Sequence, residues 1–251
     1  MAPVQKISDL NVYSSRWSVY VKVLCICDHP PTMYGDVTTM ILIDDKCNRI
    51  TATVPKGNYL YNFKRVLKEG FWFHISHFRV ISLVHTLKYT CSPLHIKFKW
   101  DTFVSPIPEV EKSDFSDWIF PSDLENSSTD NDLDVTNAVG VVSSVSSIKR
   151  FLYVCRQGET DYAARYVAVE IMDNWEQKIK CIVVGKCCEL FVTNWFRRIS
   201  RPTYNYEPVV CAVRFWRIAY VQGENVLLSE PGCSRLDIDP SFPHFDLASY
   251  M

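Results

Sequence analysis

From Arg16 the chain reads RWSVYVKVLCIC, with Trp17, Val19, Val21, Val23 and Cys25 on one face and Ser18, Tyr20 and Lys22 on the other. That is the period of a half-buried strand. The stretch HPPTMYGD is a loop by its Pro pair and Gly35, and TTMILI and RITATV are two further strands around a turn from Asp44 to Asn48. In NYLYNFKRVLKEG the spacing becomes helical through Leu60, Phe63 and Leu67, with Asn58 placed to cap the start and Gly70 to stop the end. FWFHISHFRVI and LHIKF complete this half as strands, with a turn at YTCSP between them. The predicted order is β-β-β-α-β-β.

The second half repeats the order in looser wording. AVGVVSSVSSIKRFLYV, ARYVAVEIM and KIKCIVV read as three strands, and GKCCELFVTNWF, with Leu190, Phe191 and Trp195, reads as the helix. PVVCAVRFWRIAYV and NVLLS are the last two strands. The acidic turn of the first half has an echo in IMDNWEQKI, where Asp173 lies 128 residues beyond Asp45. Such an internal repeat is the mark of one module written twice.

A β-β-β-α-β-β module is the order of the OB-fold, a five-stranded Greek-key barrel whose helix lies between strands 3 and 4 and plugs one end. A sandwich would need more strands and no central helix, and a parallel sheet would need a helix after each strand. The predicted class is therefore all-β with one short helix per domain, as two tandem barrels. The expected boundaries are a first OB-fold at 1–108, an acidic linker at 109–134, and a second OB-fold with a C-terminal tail at 135–251.

Charge changes this picture once the chain is divided. The net charge is −1, but residues 1–112 hold 14 Lys/Arg against 9 Asp/Glu, and residues 113–134 hold seven acids and no base. Residues 135–251 hold 13 Lys/Arg and 12 Asp/Glu, with Glu230, Asp237, Asp239 and Asp246 set against Arg235 in the last stretch. Two basic cores that attract polyanions, joined by a self-repelling spacer, is one reading; ordinary solvated faces is the other. Within the spacer, DFSDWIFPSDL also admits two readings. Phe115, Trp118, Ile119, Phe120 and Leu124 make either a short docking peptide for a protein partner or a linker whose aromatics pack between the folds.

Catalytic and metal chemistry find little support. The ten cysteines include no C-x-x-C, and most lie in apolar runs such as VKVLCIC and PVVCAVRF, so reduced, structural thiols are expected, with no metal and no cofactor. His74 and His77 in FHISHF point to opposite faces if the segment is one strand. Phosphate cradles of G-x-x-x-x-G-K-S/T type, H-E-x-x-H and G-x-S-x-G are absent, and Asp44 and Asp45 sit in a β-turn, where Asp is common for backbone reasons. The chain is expected not to be an enzyme. No run of about 18 apolar residues could span a bilayer, and MAPVQKISDLNVYSSRW lacks the apolar core of a secretory signal, so a nucleocytoplasmic setting without membrane attachment is expected.

Six segments, in order, resemble the large subunit of replication protein A and its plant-type relatives. Trp17 opens strand 1 as in W-x-I/V-x-V-x-V, LIDDKCNRITATV is similar to L-x-D-x-x-G-x-x-I-x-A-T, and LKEGFWFHISHFRV to L-x-E-G with its following strand. KFKWDTFVSPIP resembles the exit strand of the first fold, DVTNAVGVV the D-V-x-G-V/I start of the second, and LLSEPGCSRLDIDPSFP the ending L-S-x-x-x-x-S/T-x-x-x-I-N-P-x-x-P. The resemblance implies single-stranded DNA as partner, a role in replication, repair or recombination, and a nuclear location. The family's zinc-containing fold and its N-terminal protein-binding fold have no counterpart in these residues.

The family holds single strands with stacking rings, and here their places are altered. The ring after strand 3 of the first fold falls at Val54 or Pro55, and that of the strand 4–5 hairpin at Leu87, with Tyr89 two residues on. In the second fold the L-W-G of the family becomes Val183, Val184 and Gly185, while Tyr220 stands at the hairpin position. The cations expected along the groove are Lys22, Arg49, Lys56, Arg79 and Lys88 in the first fold and Lys180, Arg214 and Arg217 in the second. Nucleic-acid binding through these residues with Tyr89 and Tyr220 is the leading expectation. An OB-fold pair that has exchanged its stacking rings for protein contacts is the alternative.

Overall fold

The computed structural model describes residues 4–14, 16–27, 37–55, 62–63, 65–82, 89–90, 92–110, 118–119, 121–122, 135–153, 162–201, 207–221, 223–230 and 232–240. Its contacts divide the chain into two units, Met1–Phe115 and Ser116–Met251, each with its own core.

The first unit holds β1 (Ser18–Cys27), β2 (Val37–Ile43), β3 (Arg49–Pro55), β4 (Trp72–Ser76), β5 (Arg79–Ser82), β6 (Leu94–Lys97) and β7 (Phe103–Pro106), in the sheet order β5-β6-β3-β2-β1-β4-β7. The stretch FWFHISHFRVI, predicted as one strand, is two. β4 pairs with β1 while β5 pairs with β6, and this division closes the sheet into a barrel. The break falls at His77, whose φ is 61°. Its N–H donates to the Trp17 carbonyl at 3.1 Å and its own carbonyl accepts from Thr102 Oγ1 at 3.1 Å, which holds a conformation that side chains resist. Val19, Val21, Met40, Leu42, Ile50 and Phe73 point inward into one buried cluster. Residues 62–63 and 65–66 are helical, and Phe63 and Leu67 enter the same cluster, so the predicted helix plugs the barrel through these side chains. Leu60 and the cap Asn58 lie outside the described residues. Gly70, expected to end the helix, lies in the turn after it, with a φ of 85° and its N–H on the Val23 carbonyl.

The second unit holds β8 (Trp118–Ile119), β9 (Val135–Val145), β10 (Lys149–Tyr153), β11 (Tyr162–Met172), β12 (Lys178–Val184), α1 (Gly185–Ile199), β13 (Val210–Val221), β14 (Glu224–Ser229) and β15 (Arg235–Ile238). β9, β11, β12, β14 and β13 pair in a closed circuit, with β12 and β14 parallel. The predicted first strand is again two, because Ser146 to Ile148 separate β9 from β10, which hairpins with β11. Gly140 sits where β9 leaves β13 for β11. A Cβ there would stand 2.8 Å from the Met172 carbonyl oxygen, so the strands cross only because no side chain is present. Phe215 supplies the kink in β13, with a φ of 61°, its N–H on Asn137 Oδ1 at 3.0 Å and its carbonyl accepting from Ser234 Oγ at 2.7 Å. His77 and Phe215 are the same device in two barrels.

The acidic turn is repeated more closely than its wording suggests. Asp44 Oδ1 accepts the N–H groups of Lys46 and Asn48, each at 2.9 Å, and Oδ2 accepts that of Ile7 at 2.9 Å. Asp173 Oδ1 accepts from Trp175 and Gln177 at 2.9 and 3.0 Å, and Oδ2 from Ser122 at 3.0 Å. The structural counterpart of Asp173 is therefore Asp44, which corrects the pairing with Asp45. Asp45 instead takes the Lys6 ammonium at 2.7 Å.

Each buried Asp thus binds a segment that precedes its own barrel. In the first unit Gln5 bridges to Val19 in parallel before Ile7 reaches Asp44. In the second, β8 pairs in parallel with Asn137 and Ala138 before Ser122 reaches Asp173. Of DFSDWIFPSDL, the main chain of Trp118 and Ile119 and the Ser122 N–H are accordingly committed to the second barrel. Its other residues, Pro121 apart, lie outside the described residues.

Two cysteines depart from expectation. Cys27 in the first unit and Cys233 in the second each take part in a disulfide, which corrects the expectation of reduced thiols at these two positions. Pairing follows apposition in the folded chain, which spacing does not reveal. Cys181 and Cys211 are free and buried, and burial pushes both thiols well above their ordinary range. Among the described residues no group of three or more His, Cys, Asp or Glu could hold a metal ion.

Candidate nucleic-acid interface

An OB-fold presents ligand on the outer face of its second and third strands, between the strand 1–2 and strand 4–5 loops. In the first unit that face belongs to β2, β3 and β6. Ile50, Ala52 and Val54 point inward, so Arg49, Thr51, Thr53 and Pro55 point out by alternation. Beside them, β6 sets His95 against Thr51 and Lys97 against Thr53. Thr53 Oγ1 and His95 Nε2 are hydrogen-bonded at 2.7 Å, while His95 Nδ1 is buried without a partner. Burial, and then the charge of Lys97, lowers the His95 pKa to about 4, so the ring is neutral at pH 7. This face is built for hydrogen bonding.

In the second unit the same face belongs to β11, β12, β13 and β14. Val184, Ala219, Val226 and Leu228 form a separate cluster outside the barrel core, with Tyr166 and Ile182 against it. Lys180 stands exposed at its edge, opposite Glu170, whose carboxylate accepts instead from Ser144 Oγ at 2.9 Å. The β10–β11 hairpin continues the sheet; Lys149 is exposed on this face opposite Tyr166, whereas Arg150 and Arg165 are exposed on the other side of the hairpin, the side of Val167 and Val169. Arg150 and Arg165 are directly opposite across the ladder, and among the described residues neither has a carboxylate partner. Like charges in that relation repel and are relieved by a shared anion. Tyr220, 62% exposed, stands at the end of β13 on the hairpin to β14.

The predicted residues divide against this geometry. Lys180 and Tyr220 lie exposed on or beside the second face, Arg79 is exposed on β5, and Arg49 is half-buried on β3. Lys22 belongs to a different face, that of β1 and β4. Lys56, Lys88 and Leu87 lie outside the described residues. Three assignments are corrected. Tyr89 is only 5% exposed, so its ring is packed rather than offered to a base. Arg214 pairs with Asp237 at 2.9 Å, and Arg217 Nε binds the buried Glu230 at 2.6 Å, so both guanidinium groups serve carboxylates of their own unit. Of the two places for the missing ring of the first fold, Val54 is core and Pro55 is the outer residue. Thr53 and Lys149 were missed, while Thr51 and His95, at 4% and 6% exposed, are as buried as Tyr89 and support the first face from within. The alternation of RITATV and the basic pair in SIKRF were the signals, and both needed the strand pairings to acquire a location.

These geometries define a tandem OB-fold protein whose outer strand face is polar in the first unit and apolar with a cationic edge in the second. A family model described as "Domain of unknown function DUF223" matches residues 8–121. Among solved structures, the chain is similar to a replication protein A heterotrimer bound to ssDNA, with 18% identity and a TM-score of 0.64 over 96% of this chain and 52% of that one. The chain thus spans about half the length of that relative. Weaker likenesses are to a murine DNA binding protein bound with ds DNA (13% identity, TM-score 0.46, 91% and 99% covered) and to DNA binding domain A of S. cerevisiae replication protein A (17%, 0.36, 45% and 100%). No curated protein matches the chain. The first of these structures shows the fold, two OB-folds in series.

Proposed function

We propose that this protein binds single-stranded DNA without catalysis, in the nucleus, in replication, repair or recombination. The observation that carries the reading is the pair of exposed cations Lys149 and Lys180 on the outer face of the second OB-fold, with the exposed ring of Tyr220 at the end of β13. Backbone phosphates neutralise the first group, and a base stacks on the second. Lys180, Arg49, Arg79 and Lys22, with Lys56 and Lys88, extend the same chemistry to both folds. The titration of a fluorescent dT oligonucleotide of about 30 nucleotides tests it. Anisotropy is expected to show binding that weakens steeply with salt and falls about ten-fold in Tyr220→Ala, since one stacked base contributes roughly 1–3 kcal/mol. Absence of binding at low salt would overturn it.

A second reading has one observation in its favour. Where the family carries a ring, Val184 is 5% exposed within an apolar cluster outside the barrel core. An OB-fold pair without that ring suits a protein partner instead, reached through the barrel or the 113–126 segment. In that case the chain captures a protein partner while oligonucleotide binding is absent at low salt.

A further inference from the structure

The outer face of β1, β4 and β7 carries, besides the buried Trp72, three clustered rings that the face of β2, β3 and β6 does not use. By alternation Ser18, Tyr20 and Lys22 of β1 point away from the core, as do Trp72, His74 and Ser76 of β4 and Phe103 and Ser105 of β7. Tyr20 lies directly opposite His74 and packs edge-on against it, with ring centroids 5.3 Å apart and planes at 87°. Phe103 flanks the other side of His74 at 6.1 Å and 67°. Tyr20 is 42% and Phe103 53% exposed. The middle ring is fixed from below, because Ser18 Oγ and His74 Nε2 are hydrogen-bonded at 2.7 Å. Burial, and then the charge of His77, lowers the His74 pKa, so it sits between the other two as a neutral ring.

The surroundings decide what such rings meet. A protein-docking patch surrounds its anchors with further apolar side chains. Here the accessible neighbours of the rings on the three strands are Ser105 and Lys22 above buried Ser18 and Ser76, the apolar Trp72 is itself buried against Ile43, and β1, β4 and β7 contain no Asp or Glu at all. Rings on a small, polar, cationic ground are the composition of a stacking surface for bases whose phosphates lie beside it.

We propose that this face is a second stacking surface for single-stranded nucleic acid, with Tyr20 and Phe103 as the base-contacting rings, His74 as the positioning ring between them and Lys22 toward the phosphate. It rests on the reading of the chain as a single-strand binder and lengthens the track that the strand follows across the first barrel.

The full chain is titrated with fluorescent dT of about 30 nucleotides, comparing wild type with Tyr20→Ala/Phe103→Ala and with Tyr20→Trp. Both altered side chains are exposed, and an unchanged melting temperature checks that the barrel is intact. The double variant is expected to bind at least ten-fold more weakly, and Tyr20→Trp at least as tightly as wild type. In a second measurement, a 5-iodouracil-substituted oligonucleotide irradiated on the wild-type protein is expected to crosslink to Tyr20 or Phe103, as read by peptide mass spectrometry. Wild-type binding that the double variant leaves unchanged, with no crosslink at either ring, overturns this site alone. Failure of the wild type to bind removes the single-strand reading and this site with it.

Discussion

The two barrels share their closure, their kink and their buried Asp, yet their ligand faces are opposites. In the first, Thr51, Thr53 and His95 line the outer face of β3 and β6; in the second, Ile182, Val184, Val226 and Leu228 occupy the corresponding strands β12 and β14. Side chains that point inward are constrained by a close-packed interior, so both cores converge on valine, isoleucine and aromatic residues. Side chains that point outward are constrained only by what they meet. The difference therefore lies in the packing of the two outer faces, hydrogen-bonded side chains in the first unit and an apolar cluster in the second.

The largest effects test what the barrels share. Asp44→Ala and Asp173→Ala each leave three backbone N–H groups without their acceptor, and each is expected to cost about 3 kcal/mol in chemical denaturation. Asp44 also holds the Asn48 carboxamide at 3.1 Å, so its loss is expected to be the greater. Equal and negligible costs would mean that the repeated turn is decoration rather than a common anchor.

The next effect belongs to the first face alone. His95 has a folded pKa of about 4 against an unfolded value near 6.5, so the folded state resists its protonation. The sign follows: stability is complete above pH 6.5 and is lost as pH falls from there toward 4, by about 3 kcal/mol. His95→Gln is expected to flatten that part of the stability profile. A profile unchanged by the substitution would show that the ring is solvated and the face more open than its burial indicates.

The smallest effect separates the cations. Arg79→Ala removes an exposed cation that stands opposite Lys97 on the outer face, so stability is expected to stay level while the slope of log affinity against log salt falls by about one. Arg217→Ala, by contrast, strands the buried Glu230 and is expected to lower stability without changing the slope. If both variants behaved alike, the distinction between ligand-facing and structural guanidinium groups would be lost.

Much of this architecture was legible in residue order. Alternation along RWSVYVKV and KIKCIVV, the helical spacing before Gly70 and the repeated acidic turn carry the strand order and the doubling of the module, because periodicity is a local property of the chain. The kinks at His77 and Phe215 were not legible, since neither residue is a glycine and each is held by partners distant in sequence, Trp17 and Thr102 or Asn137 and Ser234. The candidate site divides in the same way. That residues 1–112 are basic and that Tyr220 ends a strand could be read directly. Whether a given arginine meets solvent, as Arg150 does, or a carboxylate far along the chain, as Arg217 does, follows from which strands are neighbours. Side-chain type and spacing set the faces of each strand; the closure of the barrels chose which faces became core, which became ion pairs and which were left to meet a ligand.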